Sequence, residues 1–253
     1  MKKKSLLSRT IEYRLWRNFG NPKALRGVAA AAAGLRYQPV FPARGEARGE
    51  VAVLVHGLLH NSAVMYSFAE FLAKNGYTVE VYDYRTTRAD YPEHAARYKE
   101  YLRGIFRKYP GTPVSIITHS MGGIITRIAL ADGNEPLDTG QVKCVVMLAP
   151  PNRGSAYARE LVARIPRLSG ALCKPLRNLC DDPQSLIHTL PWPSGVKVGV
   201  IAGIYDRRVA LPSTPYPGQA DYLELPCGHS FMMYNKEIHK QALNFLEQGF
   251  FIH

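Results

Sequence analysis

The residue best suited to nucleophilic chemistry is Ser120, in Ile116-Ile-Thr-His-Ser-Met-Gly-Gly-Ile-Ile125. A β-branched run precedes it and glycines follow at the second and third positions, the pattern of a strand that turns sharply into a helix. So tight a turn forces the serine backbone out of its ordinary range and demands small neighbours. It also sets the hydroxyl at the positive end of the next helix and aims the backbone N–H of Met121 at negative charge developing beside it. Acyl transfer through a covalent serine is the chemistry this favours. Thr118 stands where a glycine would crowd the turn least, and is read as crowding that the turn accommodates.

A serine nucleophile needs a base, and the base needs an orienting group. His229, in Pro226-Cys-Gly-His-Ser-Phe231, follows a short strand-like run and precedes the last helical pattern, so it is the expected base. Asp206 lies just past the buried run Val198-Gly-Val-Ile-Ala-Gly203 and is the expected acid. Asp221 is the runner-up, but it begins a strand and so faces the wrong end of a sheet. Asp181 and Asp182 are further alternatives. In Val55-His-Gly-Leu-Leu59, the backbone N–H of Leu58 is the expected second oxyanion donor, with Gly57 allowing close approach. His56 and His119 adjoin strand ends and are read as structural hydrogen bonders. His60 and Asn61 are read as lining a pocket or capping the next helix.

These residues require a scaffold that delivers them to one edge. Apolar runs at Val51–Val55, Tyr77–Tyr82, Val114–Thr118, Val142–Leu148, Val196–Ile201 and Tyr222–Leu225 have strand length. Helical periodicity separates them at 64–75, Glu93–Tyr109 and Gly122–Leu130, and Asn235–Gln248 closes the chain. Strands buried on both faces and alternating with helices predict an α/β fold, a mostly parallel doubly wound sheet with helices on both sides. The alternation lapses between Pro150 and Pro191. That stretch holds a helix-prone segment, Ala156–Arg164, broken after it by Pro166, Gly170, Pro175 and Pro183, and is expected to form a cap over a pocket at about 151–191.

At 253 residues, one domain over 49–253 is expected, preceded by a basic extension over 1–48. Nine of the twelve net positive charges fall in that extension, where eleven Lys and Arg face only Glu12 and Glu46. Leu6, Leu7, Ile11, Leu15 and Phe19 recur there at helical spacing beside Trp16, which predicts a helix that docks on the domain or lies on an anionic membrane through residues 1–36. Nucleic acid is not an expected partner. The opening lacks the continuous apolar stretch of an export signal, and no run approaches the length of a membrane span. A cytoplasmic location is expected, with peripheral attachment at the inner face of the membrane as the variant. The four cysteines have no metal-ligand spacing, and pairing of Cys173 with Cys180 is left open.

The sequence resembles the α/β-hydrolase superfamily, and within it bacterial lipase-like and esterase-like serine hydrolases. The likeness runs from about Val51 to Phe251. It rests on His56-Gly-Leu58, Thr118-His-Ser-Met-Gly-Gly123, Leu148-Ala-Pro-Pro-Asn-Arg-Gly-Ser155, Asp206-Arg-Arg-Val209 and Gly228-His-Ser-Phe231. Thr118 departs from the family's glycine, and Arg207 stands where such proteins often have Asp-Gly. The resemblance implies a carboxylesterase or lipase acting on a lipophilic acyl ester, with no cofactor and no metal. A thioesterase or acyltransferase using the same three residues, and a non-catalytic membrane-docking module, are the other readings.

Overall fold

The computed structural model describes residues 38–131, 137–165 and 173–253. The expected N-terminal helix, with Leu6, Leu7, Ile11, Leu15, Trp16 and Phe19, lies outside the described residues, as do Pro166 and Gly170.

Val51–Val55 forms strand β2, every residue of it buried, because Val51, Val53 and Val55 point into one apolar layer while Ala52 and Leu54 point into another. β1 (Val40–Phe41), β3 (Thr78–Tyr82), β4 (Val114–His119), β5 (Val142–Leu148), β6 (Lys197–Gly203) and β7 (Asp221–Leu225) complete the sheet, in the order β1-β3-β2-β4-β5-β6-β7. All neighbours pair parallel except β1, which runs antiparallel to β3 with Val40 opposite Glu80. β1 lies within residues 1–48, which the sequence suggested as a basic extension ahead of the domain. Two residues carry no periodic signal, so their place in the sheet was not legible.

Helix α1 (Tyr66–Lys74) and helix α6 (Lys236–Gln248) cover one face, where Phe68, Leu72, Ile238, Ala242 and Phe245 are fully buried. Helices α2 (Tyr91–Lys108) and α3 (Met121–Leu130) cover the other. α2 starts two residues before the expected Glu93: the Asp90 carboxylate accepts from the Glu93 N–H, and Pro92 occupies the first turn, where its missing donor costs nothing. Asn235 caps α6 in the same way, and Gly249, at φ 82°, ends it.

Two short helices, α4 (Ala156–Arg164) and α5 (Pro175–Asn178), stand beyond the carboxyl ends of β5 and β6 and pack on one another. Gly154, at φ 86°, lets the chain enter α4. A Cβ there would lie 2.5 Å from the Asp181 Cα and 2.6 Å from the Cys180 carbonyl. No helix of the described residues is long and apolar enough to cross a membrane.

Candidate active site

The turn between β4 and α3 holds Ser120 at φ 53° and ψ −124°, a left-handed conformation that costs a non-glycine residue on the order of 1–3 kcal/mol. Its surroundings hold it there. The Ser120 N–H donates to the Leu148 carbonyl at 2.9 Å, and the Ser120 carbonyl accepts from Gly123 N–H at 2.9 Å. Gly57 and Gly122 let the β2 loop close on the turn. A Cβ on Gly57 would lie 2.9 Å from Ser120 Cβ, and one on Gly122 would lie 2.8 Å from the carbonyls of Val55 and His56. Thr118 fits because Gly123 faces it: a Cβ on Gly123 would stand 3.2 Å from the threonine hydroxyl. The crowding expected at Thr118 is thus absorbed by the second glycine.

β6 ends in a turn that carries Asp206, and the loop after β7 carries His229. The sheet delivers both to the β4 edge. Nδ1 of His229 lies 2.6 Å from Asp206 Oδ2, and Nε2 lies 3.0 Å from Ser120 Oγ. A carboxylate only accepts, so the shared proton belongs on Nδ1, and Nε2 presents its lone pair to the serine hydroxyl. The other Asp206 oxygen accepts from the N–H groups of Arg208 and Val209, at 2.8 and 2.9 Å. The Asp206 side chain is fully buried.

The rest of the sequence candidates fall elsewhere. Asp221 accepts from Phe251 N–H at 2.6 Å and faces His253, so it holds the carboxyl terminus. Asp181 pairs with Arg159 at 3.2 Å, and Asp182 caps the Gln184 N–H. His56 bridges Asp83 and the Gly57 carbonyl and stacks on Tyr84. Asn61 caps the short helical turn Ser62–Met65. His60 turns Nδ1 to the Leu58 carbonyl; burial, then the charge of His56, with His229 and Arg208 adding, pulls its pKa down to about 4. The N–H groups of Leu58 and Met121 have no acceptor among the described residues, and both sit beside Ser120.

Ser120 and His229 open into a cavity of about 430 Å³. Its lining is mainly apolar and includes Leu58, Leu59, Leu161, Leu176, Leu179 and Val209, with Tyr157 and Arg208 also on it. α4 supplies Tyr157, Ala158 and Leu161 to the lining, and α5 supplies Leu176.

A family model of the alpha/beta hydrolase family matches residues 52–236, well over half of the chain. The chain belongs to the alpha/beta hydrolase family. Comparison with curated protein sequences gives no match. Among solved structures, this α/β hydrolase is similar to the Bacillus licheniformis lipase BlEst2. The mature form gives 21% identity and a TM-score of 0.64, covering 83% of this chain and 95% of that one. The propeptide form gives 20% and 0.68, and there the chain spans about half (53%) of the relative's length. It is also similar to a carboxylesterase of Nitrososphaera gargenis, at 19% identity and a TM-score of 0.58, covering 83% and 93% of the two chains. At such identities these likenesses speak for the fold.

His119 is a structural hydrogen bonder as its sequence position suggested, with a partner that no spacing names, and Arg127 of this α/β hydrolase was not singled out in the sequence at all. His119, fully buried, donates from Nε2 to the backbone carbonyl of His229 at 3.0 Å, and the two rings lie 4.7 Å apart. Burial, then the nearby His229 and His60, holds the His119 pKa well below its ordinary value, so the ring is neutral. Arg127, on α3, is fully enclosed. It donates to the carbonyls of Pro191, Asn152 and Leu190 at 2.8, 3.2 and 2.5 Å, and its guanidinium lies 3.3 Å over the ring of Trp192. Burial pulls its pKa down to about 10, which leaves it charged at neutral pH. It ties both ends of the 151–191 segment to the helix that begins at the serine.

Proposed function

We propose that this protein hydrolyses carboxylic esters of lipophilic acids, as a carboxylesterase or lipase, through an acyl-enzyme on Ser120. The observation that carries the reading is the continuous hydrogen-bonded line from Asp206 through His229 to Ser120, at 2.6 and 3.0 Å, opening on an apolar cavity. His229 Nε2 takes the Ser120 proton as Oγ attacks the ester carbonyl. The N–H groups of Leu58 and Met121 stabilise the oxyanion, and the buried Asp206 stabilises the imidazolium. As the intermediate collapses, the imidazolium protonates the departing alcohol. Water, deprotonated by the same nitrogen, then attacks the acyl-enzyme and releases the acid and Ser120. Segment 151–191 acts as the cap, and Leu161, Leu176 and Leu179 receive the hydrocarbon. The names borne by structural neighbours, a lipase and a carboxylesterase, belong to the same reaction class.

A fluorophosphonate probe tests this directly. Labelling of wild type and not of Ser120→Ala is expected, together with release of 4-nitrophenol from 4-nitrophenyl esters. A wild-type protein that folds but takes no label overturns the reading.

The charge excess of the N-terminal segment supports a second role for residues 1–36, peripheral contact with an anionic membrane at its cytoplasmic face. Deleting them is expected to abolish binding to anionic vesicles at low salt, and unchanged binding refutes the role.

A further inference from the structure

We propose that Arg208 makes this an enzyme for esters bearing an anionic group, a carboxylate or a phosphate, close to the scissile carbonyl; the proposal rests on the ester-hydrolase reading of Ser120. Among the described residues lining the cavity, Arg208 is the only Lys, Arg, Asp or Glu. Its backbone is held from both sides. The N–H donates to Asp206 Oδ1 at 2.8 Å, and the carbonyl accepts from Ser155 Oγ at 2.5 Å. Ser155 in turn caps α4 through the Ala158 N–H. The residue therefore joins the acid loop to the cap, and its Cα is fixed relative to Ser120.

The guanidinium is not held in the same way. It has no carboxylate partner among the described residues, and its contact is the face of Tyr157, 6.0 Å from Cζ to the ring centroid, the outer edge of cation–π range. Residues 166–172 contain no Asp or Glu that would supply a partner. Two nearby arginines are used differently: Arg159 is paired with Asp181, and Arg127 is walled in by carbonyls. A planar group with five donors, standing at an apolar cavity with no acid among the described residues to satisfy it, matches a carboxylate or phosphate in a paired geometry.

The surrounding charge has the same sign. Among the described residues of 151–191 and 204–210, seven Lys and Arg stand against four carboxylates, and one of those four, Asp206, is engaged by His229. The field at the mouth of the site therefore draws anions. It reaches the site itself, since Arg208 is among the positive groups that disfavour a proton on His60.

The test uses matched substrate pairs with the full-length wild type, Arg208→Gln and Arg208→Glu. For a carboxylate, mono-4-nitrophenyl glutarate is set against 4-nitrophenyl pentanoate. For a phosphate, a lysophosphatidic acid is set against the monoacylglycerol of the same acyl chain. The ratio of kcat/KM within a pair, taken on one enzyme, does not depend on the fraction folded. In at least one pair the anionic-to-neutral ratio is expected to fall about ten-fold in Arg208→Gln and further in Arg208→Glu, with KM carrying the change. The wild-type ratio is expected to decline as salt rises. The pair that responds identifies the anion. Ratios unchanged in both pairs overturn the proposal while turnover of the neutral esters leaves ester hydrolysis standing. No turnover of any ester, with no fluorophosphonate labelling, overturns both.

Discussion

Asp206 meets His229 with one carboxylate oxygen, 2.6 Å from Nδ1, and gives the other to the backbone N–H groups of Arg208 and Val209. The backbone bonds hold the carboxylate in place, so the imidazole is aimed by a group that cannot swing away. Asp206→Asn puts an amide where the ring needs an acceptor, which favours the wrong tautomer. A fall in kcat of roughly 10³- to 10⁴-fold is expected, with little change in thermal midpoint. Asp221→Asn supplies the contrast. It loosens the carboxyl terminus at Phe251 and His253, so it is expected to lower the midpoint and leave kcat near wild type. Steady-state kinetics and thermal melts on the two variants decide which aspartate serves the site.

Gly122 and Gly199 separate a turn that cannot give from a core that can. A Cβ on Gly122 would meet two backbone carbonyls at 2.8 Å, and neither has anywhere to move. Gly122→Ala is expected to displace the β2 loop, costing about 1–3 kcal/mol of stability and at least about ten-fold in kcat. A Cβ on Gly199 would instead meet the Phe245 ring at 2.5 Å and Phe251 at 2.7 Å, on the sheet face away from Ser120. Gly199→Ala is expected to cost similar stability with kcat per folded molecule retained. Urea unfolding and active-site titration measure the two quantities separately.

Much of this site was legible because its signals are local. Ser120 announces itself by its neighbours, and Asp206 and His229 each follow a strand whose apolar run is readable in sequence. Parallel strands bring their carboxyl ends to one edge, so the order of three loops was enough to bring them together. What was not legible depends on contacts between distant positions. Val40–Phe41 is too short for periodicity and is a strand only because β3 is there to receive it. His119 touches a backbone carbonyl 110 positions away, and Arg127 reaches two separate stretches, at Asn152 and at Leu190–Trp192, that no spacing rule connects to it. Arg208 reads as an ordinary surface arginine until the cap is placed beside it.

Arg127 presents a case where chemical similarity misleads. Its guanidinium donates to several carbonyls at once and stacks on Trp192. A lysine offers one point charge and no flat face, so Arg127→Lys leaves buried carbonyls unpaired. A loss of about 2–4 kcal/mol is expected, close to that of Arg127→Leu. Because the carbonyls belong to the ends of segment 151–191, proteolysis within that segment is expected to accelerate in both variants. Equal stability of Arg127→Lys and wild type in urea would show that the cage contributes nothing.

His60 sets a slope in the acid range. Its pKa is about 4 in the folded protein against an ordinary 6.5. As pH falls through 6.5 the unfolded chain takes a proton that the folded one refuses until about 4, so the site loses stability over that interval and contributes nothing above it. At about 1.4 kcal/mol per pH unit, a shift from 6.5 to about 4 is worth on the order of 3.5 kcal/mol at most. His60→Gln is expected to flatten the fall in unfolding free energy between pH 6.5 and 4.5 and to change little at pH 8. Parallel slopes for the variant and wild type would place His60 in water.

His119 positions His229 by its main chain and not by its ring. The donated bond to the His229 carbonyl fixes the loop from which the proposed base projects, and the neutral His119 ring places no second charge beside the imidazolium that the proposed mechanism forms. His119→Phe keeps the bulk and removes the donor. It is expected to lower kcat by about ten-fold with KM nearly unchanged, since substrate binds elsewhere in the cavity. His119→Gln carries an amide N–H that reaches the same carbonyl, and is expected to recover most of the rate. A merely structural loss would lower both variants alike and would show in the fraction of sites titrated by fluorophosphonate. Equal kcat in His119→Phe and wild type would remove His119 from the account of how the base is held.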